Sequence, residues 1–68
     1  MRRTLGTLTD ADIRQQRAIT VLFFDEPVIA GRLIGSYSLN GQVSLRLQVL
    51  GLRVDVEPLP ADTECEVA

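Results

Sequence analysis

Apolar and polar positions alternate most regularly in the second half of the chain. Val43, Leu45, Leu47 and Val49 alternate with Ser44, Arg46 and Gln48, and Gly51 interrupts the run. Leu52, Val54 and Val56 then alternate with Arg53, Asp55 and Glu57 until Pro58 and Pro60. A period of two with one apolar parity predicts half-buried antiparallel strands. Upstream, Ile19-Thr20-Val21-Leu22-Phe23-Phe24 is β-branched and aromatic, which predicts a buried strand. Asp25-Glu26-Pro27 predicts a turn, because Pro27 cannot donate to a ladder. From Val28 to Leu39 a further strand is expected, with Ile29, Leu33, Tyr37 and Leu39 on one parity. Gly31 and Gly35 share that parity and predict a bend, or the close approach of another chain.

Asn40-Gly41 is a hairpin signal. A two-residue loop would set Ser38 opposite Val43 and Ser36 opposite Leu45, placing small polar residues on the apolar face. A three-residue loop, Leu39 to Gly41, would pair Tyr37 with Val43, Gly35 with Leu45 and Leu33 with Leu47. A one-residue slip flips every side chain, so parity favours the odd loop.

Before the strands, Thr9-Asp10-Ala11-Asp12 reads as a helix start. Thr9 is a suitable cap, and two carboxylates occupy the first turn. Asp12 stands where a capping box usually carries Glu or Gln. A short helix is expected from about residue 10 to 17, with Leu8 and Ile13 as a hydrophobic staple. Residues 1–8 read as a loose lead-in. The expected fold is mainly β: a short N-terminal helix, then a curled four- to five-stranded antiparallel sheet forming a small Sm/SH3-like barrel. An open sheet with the helix on one face is the alternative.

The length of 68 residues allows one domain, placed at residues 1–60, with 61–68 as an acidic C-terminal tail that is disordered or held by a partner. Domains this small need a disulfide, a metal or oligomerisation to be stable. Cys65 is the only cysteine and there is no His, so neither a disulfide nor a zinc site is expected. Oligomerisation remains. Leu22, Phe24, Val28 and Ile34 fall on the parity opposite the main apolar face and predict a second covering surface. That surface would be another subunit, joined edge to edge through the strands before Pro27 or around Gly51, or a larger protein partner.

The net charge of −2 offers no global attraction to nucleic acid. Its distribution is uneven, with Arg2, Arg3, Arg14 and Arg17 near the start and five carboxylates after residue 54. No apolar run is long enough to span a membrane, and no signal peptide is visible, so a cytoplasmic protein is expected. Catalytic chemistry is poorly supplied. There is no His, Cys65 lies between Glu64 and Glu66, and Asp25-Glu26 reads as a solvated turn. The expectation is a protein without enzymatic activity, cofactor or metal.

Several segments resemble the Sm/Hfq family of ring-forming RNA-binding proteins. Ile19 to Asp25 is similar to the family's opening strand, which ends in Asp or Asn at a turn. Ile29-Ala30-Gly31-Arg32-Leu33 is similar to its apolar-x-Gly-x-apolar second strand. Val49-Leu50-Gly51-Leu52-Arg53-Val54 resembles the second motif, where a Gly lies between two short strands. Glu26 stands where the family turn carries Gly, and Leu50 and Leu52 replace polar residues. The resemblance implies an oligomeric ring that binds RNA through Arg14, Gln15, Gln16 and Arg17 at the end of the helix, with Tyr37 as a stacking residue. The other expectation is a protein-binding or assembly module that docks on a larger partner and binds no nucleic acid.

Overall fold

Six runs of extended backbone pair into one antiparallel sheet in a computed structural model that describes residues 1–68. Strand β1 is Arg2–Thr4. A 3₁₀ turn at Leu5–Thr7 and helix α1 at Asp10–Arg14 follow. The remaining strands are β2 Ala18–Phe23, β3 Glu26–Leu39, β4 Gln42–Val49, β5 Leu52–Pro60 and β6 Glu64–Val67. Their order across the sheet is β1-β6-β2-β3-β4-β5. The ladder does not close, so β1 and β5 are its two edges. No helix is long and apolar enough to cross a membrane.

Helix α1 begins as expected. The Thr9 hydroxyl accepts from the Asp12 backbone N–H at 3.3 Å, and the Asp12 carboxylate accepts from the Thr9 N–H at 2.8 Å. Asp therefore completes the capping box that Glu or Gln usually completes. The helix ends at Arg14 rather than residue 17, because Gln16 turns into the left-handed region at φ 49°.

Residues 61–68 are not a tail. Glu64–Val67 forms β6, which lies inside the sheet and pairs with β1 on one side and β2 on the other. Cys65 and Val67 are fully buried, while Glu64 and Glu66 face outward. Residues 1–8 likewise supply an edge strand and the buried Leu5 instead of a loose lead-in. The domain therefore runs from end to end of the chain.

The hairpin at Asn40-Gly41 corrects the parity argument. Its loop has two residues, with φ 53° and 76°, and Leu39 faces Gln42, Ser38 faces Val43 and Ser36 faces Leu45. Positive φ at both loop positions matches the twist of the flanking strands and suits Asn-Gly. The register is restored further on. Ile34 is an unpaired bulge residue, so Leu33 still faces Leu47 and both are buried.

Bulges also undo the expected second apolar face. Val28 is unpaired between Ile29 and Pro27, Ile34 is the bulge just described, Phe24 lies in a turn, and Leu22 is buried. Those four residues share no common strand face. Strand β2 sits between β6 and β3 and offers no free edge; before Pro27 the free edge is the three-residue β1, and after Gly51 it is β5. Gly31 answers to a neighbour within the chain. A Cβ there would lie 2.7 Å from the Gln48 carbonyl oxygen, so the close approach is that of β4.

The core is the single cluster Leu5, Ile19, Val21, Leu33, Val43, Leu45, Leu47, Cys65 and Val67. Only eleven of 68 residues are buried, which leaves the fold little apolar burial to draw on.

Candidate binding surfaces and charge poles

Charged side chains gather into three groups. The first is internal. Asp12 is 4% exposed and sits at the start of α1. Arg3 donates to both of its oxygens, at 3.1 and 2.9 Å, and the Arg17 Nε lies 3.2 Å away. Hydrogen bonds from Arg3, aided by those from Thr9, hold the Asp12 carboxyl down at a pKa of about 2. The second group surrounds Arg2, which donates to Asp25 at 2.9 Å, to Glu66 at 3.0 Å, and to Glu64. Arg2 also lowers the Glu66 pKa through its hydrogen bond. This pole carries Phe24, Asp25, Asp62 and Glu64 around a shallow depression, with Glu26 next in the chain, and its excess charge is negative.

The third group is the outer face of β3, β4 and β5. Register places Arg32, Gln48 and Arg53 side by side across the three strands. Arg46 lies in the next row and donates to Asp55 at 2.8 Å. A groove here is lined by Gln16, Ile34, Arg46, Gln48, Gly51 and Arg53. It adjoins a second groove that shares Ile34 and Arg46 and adds Gly35, Tyr37, Ser44, Asp55 and Val56. The surface is basic, since only Arg46 of its three arginines meets a carboxylate.

The proposed RNA-contacting residues separate. Gln16 and Tyr37 stand toward opposite ends of this grooved surface. Arg14 and Gln15 line neither groove. Arg17 turns to the C-terminus, donating to the Ala68 carbonyl at 2.8 Å, so its charge serves the fold. Arg32, Gln48 and Arg53 are the basic row that sequence reasoning missed. Their outward parity was readable, but their adjacency depends on cross-strand register.

Cys65 is buried, and burial pushes its thiol pKa up, which disfavours the thiolate. Asp25 is tied to Arg2. Two apolar side chains stand wholly in solvent at turn tips. Phe24 is 102% exposed at φ 51° and Leu50 is 97% exposed at φ 52°. Bulky residues rarely occupy this left-handed region. No family model, curated protein or solved structure matches the chain.

Proposed function

We propose that this protein is a non-enzymatic, self-associating module of the Sm/SH3-like small-barrel kind, acting in the cytoplasm. The observation that carries this reading is the imbalance between core and surface. Eleven residues are buried, while Phe24, Val28, Tyr37, Leu39, Leu50 and Leu52 are exposed. Burying one such side chain is worth roughly 1.5–3 kcal/mol, and a chain of this size has only about 3–5 kcal/mol in total. Association is the direct way to recover that burial without a disulfide or metal. The nine-residue edge strand β5 adds unpaired backbone groups to which a second strand can bond.

Two features support the barrel-like reading of the open sheet. The short helix followed by the meander β2 to β5, with a long bulged β3, supports this reading, with β1 added ahead of the helix. The three-residue link 61–63 joins β5 to β6, four strand positions away. Those positions span about 19 Å in a flat sheet, whereas Pro60 to Glu64 reaches at most about 14 Å. Native mass measurement tests the association. A species of several subunits is expected, and a single folded monomer speaks against it.

A second reading is favoured by the row Arg32, Gln48, Arg53 beside Gln16 and Tyr37: a single strand of RNA laid along the outer face, its phosphates on the arginines. The double variant Arg32→Ala, Arg53→Ala should weaken binding of a single-stranded oligonucleotide. It should also flatten the log–log salt dependence by about 1.4, at about 0.7 for each phosphate that an arginine no longer neutralises. An unchanged slope in a fluorescence titration over salt removes RNA from this face.

A further inference from the structure

We propose that copies of this chain associate by seating Phe24 of one in the groove between Ile34, Gly35, Tyr37 and Ser44 of another, with Glu26 of the first facing Arg53 in the adjoining groove of the second. The inference rests on the self-association reading and names the surfaces that carry it.

Phe24 is the first residue of the two-residue turn between β2 and β3. Its backbone adopts φ 51°, where Asn or Gly is at ease and a bulky residue is strained. Its ring is fully exposed, so nothing within the chain compensates that strain. The side chain is placed for something outside the molecule.

The groove has room for a phenyl ring. Its volume is about 440 Å³, and an apolar cavity of about 150 Å³ accepts a benzene ring. Gly35 has no side chain there, and Ile34 and Tyr37 offer apolar contact, while Val56, opposite Leu45, packs toward the core. Arg46 lies in it, and Arg53 stands in the adjoining groove.

Charge selects Phe24 over Leu50 as the guest. Phe24 is followed by Asp25 and Glu26 and sits near Asp62 and Glu64. Asp25 and Glu64 are paired with Arg2, and Arg46 with Asp55 inside the groove, so the free carboxylates are Glu26 and Asp62 and the cation they would meet is Arg53 in the adjoining groove. Leu50 is next to Gly51, which lines the basic groove itself, so its insertion would bring like charges together. Glu26 and Arg53 have no ion pair within their own chain, which leaves both free for this contact. Knob and groove are different surfaces, so one contact leaves a free knob on one copy and a free groove on the other.

Sedimentation of the full-length chain and three variants tests this. Phe24→Asn relieves the turn, so it should raise the melting temperature of the subunit while weakening association at least about tenfold, the loss expected for one unburied phenyl ring. Leu50→Asn should also raise the melting temperature and leave association unchanged. Ser44→Glu, which fills the groove and repels Glu26, should weaken association as Phe24→Asn does. Mixing Phe24→Asn with Ser44→Glu should give a 1:1 heterodimer that neither forms alone, because one intact knob and one intact groove remain. If the wild-type chain associates and Phe24→Asn associates equally well, or if the mixture stays monomeric, this contact is overturned while self-association stands. A monomeric wild-type chain overturns both.

Discussion

Asp12→Ala should leave most of the chain unfolded at neutral pH and 25 °C. The carboxylate is buried, accepts from both Arg3 donor nitrogens and the Thr9 N–H, and lies 3.2 Å from the Arg17 Nε. Removing one partner of a buried ion pair costs about 3–5 kcal/mol, because the other charge is left unpaired. Loss of the capping box adds about 1 kcal/mol. The sum matches or exceeds the whole stability expected of such a small domain, about 3–5 kcal/mol. The same group sets an acid limit. Its folded pKa of about 2 lies below the unfolded value near 3.8. The stabilisation is therefore fully present above about pH 4 and is lost as pH falls from 4 toward 2. The shift corresponds to roughly 2 kcal/mol. Circular dichroism melts at pH 7 and pH 3 check both points. Asp12→Asn should be destabilised at pH 7 and should lose most of the acid dependence. A melting temperature for Asp12→Ala within a degree or two of wild type would show that Arg3 and Arg17 are stable without it.

Deleting residues 61–68 should abolish folding. Strand β6 pairs with β1 and β2, and Cys65 and Val67 belong to the core cluster. The deletion also removes the Ala68 N–H bond to Ala18 and the Ala68 carbonyl that accepts from Arg17. Each buried side chain of this size contributes about 1.5–3 kcal/mol, and β1 loses its only partner strand. Far-UV circular dichroism and amide dispersion in NMR read the result. A truncated chain that keeps a dispersed spectrum would make these residues the dispensable tail their acidity suggests.

That last contrast shows where the sequence is hard to read. Cys65 and Val67 alternate with Glu64 and Glu66, a period of two, but the run is short and its charges dominate. The cation that meets those charges is Arg2, more than 60 residues away, and no local pattern announces the pairing. The short β1 is invisible for the same reason. Local signals served better. Thr9 and Asp12 cap α1, and Val43, Leu45 and Leu47 all reach the core. The Asn40-Gly41 loop shows the limit of parity. Counting by twos assumes a regular strand, and the bulge at Ile34 absorbs the residue that parity assigned to the loop. Val28 escapes parity in the same way. The basic row on β3 to β5 needed the register that these bulges set, so Arg32 and Arg53 could not be placed together beforehand.

Sedimentation equilibrium of the wild-type chain, from about 5 to 500 μM and paired with circular dichroism at each concentration, tests self-association most directly. The expected result is a weight-average mass that rises well above 7.5 kDa while the β spectrum is retained. A mass of 7.5 kDa at every concentration, with the same folded spectrum, would contradict the account.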